Sequence, residues 1–180
     1  TTDAAPAWPG ADVAALPVVP IRSGAPAPAP ALVTPQALRL PTLGVSAEVV
    51  PVGLRPDGEV EVPADVRTVG WYRYGADLAA DAGSVVVVGH VDNTSQGPGA
   101  FWGLRTLEVG DPVSVQASDG STRTFTVVAR EQWSKGEVPL DRVFSAGGQP
   151  RLTLVTCGGS FDGSRASYRD NVVVTAVEQS

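Results

Sequence analysis

The sequence predicts an all-β domain with one or two short helices, built as a closed barrel or a sandwich. Three observations support this fold class: short β-branched runs recur from about Leu38 onward, Gly, Pro and Asp separate them, and helical periodicity is meagre. Many short strands at such spacing are typical of barrels and sandwiches. Closure into a barrel would also leave no strand edge exposed.

The predicted strands follow one another from residue 47 to residue 177. Each has strand length and a β-branched or alternating composition. Asp119-Gly120 lies between the fourth and fifth runs and is a strong hairpin signal. The runs are AEVVPVGL, GEVEVP, GSVVVVGHV, DPVSVQAS, TRTFTVVAR, RLTLVTC and NVVVTAV. Two further segments, GAFWGLRTLEVG and VPLDRVF, are each expected to supply one or two helical turns.

The start of the chain has a different composition. Residues 1–35 hold half of the 16 prolines and only three charged residues. Repeated proline fixes φ and removes N–H donors, which excludes a helix or a sheet ladder and favours a stiff spacer. We therefore predict a spacer, or an arm docked on the domain, over residues 1–37, and one folded domain over residues 38–180.

Charge and cysteine content exclude several classes of function. The net charge is −6 and the basic residues are scattered, which argues against nucleic acid and anionic lipid as partners. One cysteine and one histidine cannot make an internal disulfide or a structural zinc site. No run of 18 apolar residues occurs, so no membrane span is predicted here. Nothing requires more than a monomer.

The histidine and the cysteine occupy similar positions. His90 follows the valine run 85–88 and a glycine, whereas Cys157 ends the run LTLVTC and precedes Gly158-Gly159. Reactive side chains often gather where strands yield to loops. Two such strand ends could present an imidazole and a thiol across one cleft.

An arginine near the sulfur would help this pair react. With ordinary pKa values, only about 1% of molecules at pH 7 would carry both a thiolate and an imidazolium, a deficit of about 2.5–3 kcal/mol. A guanidinium favours a nearby thiolate and can stabilise an oxyanion. Arg169, directly before the last predicted strand, is the best-placed candidate, and Arg165 is second.

Each of these residues also has a simpler explanation. A lone cysteine in an apolar run is more often an inert core residue. A histidine after a glycine is more often a turn residue, and Arg169 alone is most often a solvated charge. Their coincidence beside strand ends favours a nucleophilic site, and the residues alone leave both interpretations open.

Segments across residues 38–177 resemble, in the same order, segments of the class F sortases, which are cysteine transpeptidases of Gram-positive cell envelopes. TLVTC (residues 153–157) resembles the TLxTC signature of sortases, and GHVD with a downstream arginine strengthens the match. The other matching segments are LPTLGVSAEVVPVGL, VGWY, VVVVGHVDN, GPGAFWGLRTLEVGD, LVTCGGSFD and YRDNVVVTA.

The resemblance implies a closed eight-stranded β-barrel with the His, Cys and Arg at one rim. Cys157 resembles the nucleophile and His90 the acid and base. Arg169 resembles the arginine that binds substrate and the oxyanion. Thr156 resembles the residue whose backbone and hydroxyl assist that oxyanion, and is therefore expected to bind substrate.

Arg169 departs from the pattern of the better-known sortase classes. There the arginine directly precedes the last apolar strand, whereas here Asp170-Asn171 intervenes before Val172. Asn171 could take the register of the arginine, and a bulge would then be needed to bring Arg169 inward. Asp92 and Asn93 could orient His90, although forming a turn is their simpler role.

The resemblance also implies the reaction and its partners. Cys157 would cleave the Thr–Gly bond of an LPxTG-type sorting signal, and an amine would resolve the thioacyl-enzyme. That amine would belong to a peptidoglycan precursor or to a pilin lysine. No organic cofactor is expected, and the lack of clustered acids predicts no metal dependence. We expect a membrane anchor upstream of Thr1 to hold the enzyme at the extracellular face of the cell membrane.

Two other functions stay open. A cysteine hydrolase would resolve the same thioester with water, and a non-catalytic β-domain of the cell envelope would keep Cys157 as a structural thiol. A papain-like protease is disfavoured because its cysteine lies ahead of its histidine, whereas here His90 precedes Cys157.

Overall fold

A computed structural model describes residues 31–164 and 167–179 of the chain. One short helix, α1 (Leu140–Val143), and three 3-10 turns, Pro41–Leu43, Leu104–Thr106 and Lys135–Glu137, interrupt ten strands. The strands are β1 (Pro35–Leu40), β2 (Val45–Val52), β3 (Val69–Tyr72), β4 (Ser84–Val88), β5 (Asp92–Asn93), β6 (Gly97–Pro98), β7 (Pro112–Ala117), β8 (Thr122–Ser134), β9 (Arg151–Asp162) and β10 (Ser167–Glu178).

Eight of the strands close into a barrel in the order β1-β2-β3-β4-β9-β10-β8-β7, and β7 pairs back with β1. The pairs β2–β3 and β4–β9 are parallel, and the other neighbours in the barrel are antiparallel. Strands β5 and β6 form a separate two-stranded sheet. The predicted all-β fold and its closed barrel are thus confirmed. Within the described ranges, no helix combines the length and the apolarity that crossing a membrane requires.

Strand β4 is buried on both faces, which explains its unbroken run of valines. Val85 and Val87 belong to the main core inside the barrel, whereas Val86 and Val88 join a second apolar cluster. Burying one valine side chain stabilises the folded protein by about 1.5–3 kcal/mol relative to leaving it in water. Parallel pairing to β9 is typical of a strand that is covered on both sides. Because β4 is buried on both faces, it fixes the position of Gly89 and His90, which follow it directly.

Three elements differ from the sequence prediction. GEVEVP forms no strand and contributes only an isolated bridge between Leu54 and Val60, because both edges of β2 are already taken by β1 and β3. The segment VGWY was not predicted as a strand, yet it forms β3 and buries Val69 and Trp71. Strand β1 begins at Pro35, three residues before the predicted domain boundary at Leu38.

The predicted hairpin and helical turns are present. Asp119-Gly120 joins β7 to β8, and Gly120 has a φ of 83°, which glycine adopts without strain. The two predicted helical segments supply the turn Leu104–Thr106 and helix α1. The predicted spacer or arm lies outside the described residues over its first 30 positions, and so does Arg165.

Candidate active site

The parallel pair β4–β9 brings the predicted histidine and cysteine to matching positions. Val88 and Val155 face each other in the register of this pair, and His90 and Cys157 each lie two residues further along the chain. Gly89 continues the pairing beyond β4, because its N–H donates to the carbonyl of Val155 at 3.1 Å. The two side chains that carry the predicted chemistry therefore leave neighbouring strands at the same end of the barrel.

A buried hydroxyl ties these two chain segments together. Thr156 is 4% exposed, and its Oγ1 donates to the carbonyl oxygen of Gly89 at 2.8 Å. A threonine hydroxyl has one proton, so that proton is not available to an oxyanion while this bond is formed. The substrate-binding role of Thr156 stays a prediction.

Close packing fixes the backbone of His90. A Cβ at Gly89 would lie 2.7 Å from the Phe101 ring, and a Cβ at Gly99 would lie 2.3 Å from the carbonyl oxygen of His90. That carbonyl accepts a hydrogen bond of 3.1 Å from the N–H of Phe101. Only glycine leaves room for such close approach of backbone and rings. The histidine is thus held by the residues that follow it in the chain.

The imidazole of His90 is half-buried and has a backbone partner. Its Nε2 lies 3.0 Å from the carbonyl oxygen of Pro63. A carbonyl only accepts, so Nε2 carries the proton and Nδ1 keeps the lone pair in the neutral ring. Pro63 could not be predicted from the sequence, because a contact to a backbone carbonyl does not depend on side-chain type.

Cys157 lies within a strand and not at the end of one, which corrects the prediction. Strand β9 continues to Asp162, because the two glycines allow it to pair closely with β10. A Cβ at Gly158 would come within 2.7 Å of Val172, and Gly159 has a φ of 74°. The glycine pair therefore extends the hairpin beside the sulfur instead of opening a loop.

Burial dominates the electrostatics of the thiol. Cys157 is half-buried, and loss of solvation raises its pKa above the ordinary value. The charge of Lys135 acts in the opposite direction, whereas the carboxylates of Glu59 and Asp92 raise the pKa further. Burial therefore favours the protonated thiol over the thiolate.

A small cavity of about 40 Å³ adjoins the sulfur. Its lining includes Cys157, Trp102, Arg105 and Tyr168. The guanidinium of Arg105 lies 5.7 Å from the centre of the Trp102 ring, a cation–π contact. The sequence analysis did not single out Trp102, Arg105 or Tyr168, because their chain positions carry no signal of where the barrel brings them.

Asp92 and Asn93 have other partners than the histidine. The hydroxyl of Tyr168 donates to Oδ2 of Asp92 at 2.7 Å, and this bond is the main cause that raises the pKa of Tyr168. Oδ1 of Asn93 accepts from the N–H of Ser95 at 2.8 Å. Asn93 thus has the simpler, turn-forming role, and Asp92 links the segment after His90 to β10.

The bulge expected to bring Arg169 inward is instead in the neighbouring strand. Asn171 is paired with Cys157, and the register shift between Tyr168 and Asp170 sets the single residue Arg169 of β10 against two residues of β9, Gly159 and Ser160. Directly paired residues place their side chains on the same face of a sheet, so Asn171 lies beside the sulfur. The side chain of Arg169 is 67% exposed, and its guanidinium is 3.8 Å from the carboxylate of Asp162. The catalytic role of Arg169 stays a prediction.

No metal centre is found among the described residues. Over 31–164 and 167–179, no group of three or more His, Cys, Asp or Glu side chains is placed to hold an ion.

Comparisons with known proteins give a consistent family. A sequence model of the Sortase domain matches residues 38–179. No curated protein sequence matches the chain. The fold is similar to sortase C-1 from Actinomyces oris (formerly Actinomyces naeslundii), with a TM-score of 0.63, 19% identity, and coverage of 80% of this chain and 73% of that chain.

Two other solved structures are similar to the same degree. Sortase C2 of pilus island 1 from group B Streptococcus has a TM-score of 0.61 and 15% identity, over 80% of this chain and 73% of that chain. A lid mutant of sortase A from Corynebacterium diphtheriae has a TM-score of 0.62 and 17% identity, over 85% of this chain and 74% of that chain. At identities this low, the similarity supports the fold.

Proposed function

Because this chain belongs to the sortase family, we propose that Cys157, His90 and Arg169 perform its transpeptidation on an LPxTG-type sorting signal. Sortases are cysteine transpeptidases that join sorting-signal substrates to amine acceptors at the cell envelope, and this chain is one of them. The observation that supports this assignment of residues is the register of β4 and β9, in which Val88 pairs with Val155, each two residues before His90 and Cys157.

The first half of the reaction forms a thioester. Sγ of Cys157 attacks the carbonyl carbon of the substrate threonine, and the resulting oxyanion collapses with loss of the glycine amine. Because burial raises the pKa of the thiol, the sulfur holds a proton in the resting enzyme, and the neutral imidazole of His90 takes this proton as the new S–C bond forms. His90 then donates the same proton to the leaving nitrogen.

The second half reverses these roles. An incoming amine attacks the thioester carbonyl and loses a proton to His90, and the C–S bond then breaks while His90 returns that proton to the departing sulfur of Cys157. We propose an amine of a peptidoglycan precursor or of a pilin lysine as this acceptor. A hydrolase would use water in the same step. The family assignment does not favour that alternative or a structural thiol.

Arg169 is proposed to bind the substrate and its oxyanion. Its present contact with Asp162 is an ion pair at 3.8 Å in which the Arg169 side chain is 67% exposed and the Asp162 side chain 19%, and ion pairs at the protein surface contribute about 1 kcal/mol or less. A substrate that offers a developing negative charge can therefore compete for the guanidinium at small cost. We propose that the chain belongs to class F, because its segments around His90, Cys157 and Arg169 resemble class F segments and occur in the same order along the chain.

We also propose that the enzyme is a monomer held at the extracellular face of the cell membrane by an anchor upstream of Thr1. The proline-rich composition of residues 1–35 supports a stiff connection to such an anchor. Fractionation of cells that express the full reading frame tests this, and recovery of the enzyme in the medium or cytoplasm would contradict it.

Mass spectrometry of the protein incubated with an LPxTG-type peptide tests the chemistry. A thioacyl adduct is expected on Cys157, and its site is unambiguous because the chain has one cysteine. Adding an amine should give a ligated peptide, and water alone a slower cleavage. Cys157→Ala should abolish both, and Arg169→Ala should reduce both far more than the neighbouring Asn171→Ala. If the peptide is cleaved but no ligated product forms even at the highest amine concentration, the enzyme is a hydrolase.

A further inference from the structure

The side chain of Gln96 holds the chain segment that contacts the imidazole of His90. Its Nε2 donates to the carbonyl oxygen of Ala64 at 3.0 Å, and its Oε1 accepts from the N–H of Val66 at 3.1 Å. One primary amide therefore satisfies a backbone acceptor and a backbone donor two residues apart, as a neighbouring strand would. These bonds fall directly after Pro63, whose carbonyl accepts from the histidine ring.

The segment 63–66 has no strand ladder of its own to fix it. It lies in an irregular stretch before β3, and Pro63 has no N–H to donate. One backbone bond, from Ala100 N–H to the carbonyl of Val66 at 2.7 Å, joins it to the chain after His90. The side chain of Val66 is also buried, at 1% exposed, so the two bonds of Gln96 act together with core packing to determine where the carbonyl of Pro63 points.

Gln96 itself is placed by a tight turn that starts at Asn93, three residues after His90. Strands β5 and β6 pair Asn93 with Gly97, and the N–H of Gln96 donates to the carbonyl of Asn93 at 3.2 Å. Gly97 has a φ of 79°, a backbone conformation that favours glycine. The turn thus places the glutamine between β5 and β6, with its side chain bonded across to segment 63–66.

We propose that Gln96 is a positioning residue for the acid–base step, acting through the carbonyl of Pro63 on His90. The bond from Nε2–H to that carbonyl selects one tautomer and one ring orientation. Nδ1 then carries the lone pair, and it is the nitrogen that gains and gives up the transferred proton. Without Gln96, segment 63–66 loses two of its bonds, and the ring is freed to turn or to adopt the other tautomer.

This inference rests on the proposed role of His90, and the single histidine makes it directly measurable. Long-range ¹H–¹⁵N correlation on the labelled protein reports the tautomer of this one imidazole without any turnover. The wild type is expected to show the Nε2–H form at neutral pH. Gln96→Ala should shift the ring toward a mixture of tautomers.

In Gln96→Ala, kcat should fall about tenfold while KM stays nearly unchanged. This loss is smaller than the roughly 10²–10⁴-fold that general acid–base catalysis contributes, because His90 itself is still present. Gln96→Glu has nearly the same shape and still accepts from Val66, but its carboxylate cannot donate to Ala64, so it should show the same direction of change. Thr94→Ala, an exposed residue of the same turn, is the matched control and should change neither readout.

A wild-type ring in the Nδ1–H form, or an unchanged tautomer in both Gln96 variants, overturns the proposal. The proposal is also overturned if the Gln96 variants show a shifted tautomer but a normal kcat. It is overturned as well if they lose thermal stability without any change in tautomer or kcat. If His90→Ala keeps its activity while the tautomer of the Gln96 variants still shifts, the contact with Pro63 is correct and the proposed catalytic role of His90 is wrong.

Discussion

Thr156→Val removes the hydroxyl that ties the cysteine strand to the residue before His90. The bond is 2.8 Å long and buried, and valine has nearly the same shape as threonine, so the carbonyl of Gly89 loses its partner without a cavity forming. Leaving a buried acceptor unsatisfied costs about 1–3 kcal/mol. For a domain of this size, that loss lowers the melting temperature by roughly 2–12 °C.

Activity should fall as well, because the freed carbonyl belongs to the residue that precedes His90. A displacement of about 1 Å at a reacting group can cost about 100-fold in rate. Thermal unfolding followed by circular dichroism gives the stability, and a peptide-ligation assay gives kcat/KM. Thr156→Ser keeps the hydroxyl and should retain most of the activity.

The far end of the same two strands offers a matched control. Thr153 is 2% exposed, and its Oγ1 lies 2.7 Å from the hydroxyl of Ser84, also buried. Thr153→Val should lose a similar amount of stability while its kcat/KM stays normal. If Thr156→Val keeps its melting temperature but loses activity, the hydroxyl serves the oxyanion and the structural tie is refuted. If neither value changes, both roles are refuted.

Three further outcomes follow from the geometry of the site. Gly99→Ala would place a Cβ 2.3 Å from the carbonyl oxygen of His90; kcat/KM should fall and stability drop by about 1–3 kcal/mol. Gly136→Ala, where nothing lies within 4 Å of the new methyl group, should change neither. Burial raises the pKa of Cys157, so the rate of alkylation by iodoacetamide should level off at a higher pH in the folded protein than in the urea-unfolded chain. If the two rate–pH profiles coincide, burial does not raise this pKa. Lys135 lowers that pKa, so Lys135→Gln should move the profile of the folded protein to still higher pH, and an unchanged profile would count against the contribution of Lys135.

The all-β fold could be predicted because its strands differ so clearly from the turns between them. The valine run of β4 and the alternation of β7 and β8 each fit one kind of strand environment. GEVEVP fits equally well and forms no strand, because its composition says nothing about whether a neighbouring edge is free. The choice of VGWY as β3 depends on the whole barrel and not on local propensity.

The site was predictable where it depends on residue type and not where it depends on backbone contacts. His90 and Cys157 could be expected near each other from their chain positions, whereas the bulge lies in β9 opposite Arg169 and not in β10, where Asp170-Asn171 suggested it. The continuation of β9 beyond Cys157 was missed because a glycine pair usually indicates a loop, whereas here it allows close pairing with β10. The contact between His90 and Pro63 has no sequence signature.

The tie between Thr156 and Gly89 joins residues 67 positions apart. Parallel strands cannot pair through a tight turn, so the chain must first form the elements between them, and loop closure over such a span is costly and slow. A nascent or partly folded chain therefore carries its thiol and its imidazole as separate, unassisted groups. Such a chain has no assembled pair with which to cut peptides indiscriminately, since that pair requires β9 to have paired with β4.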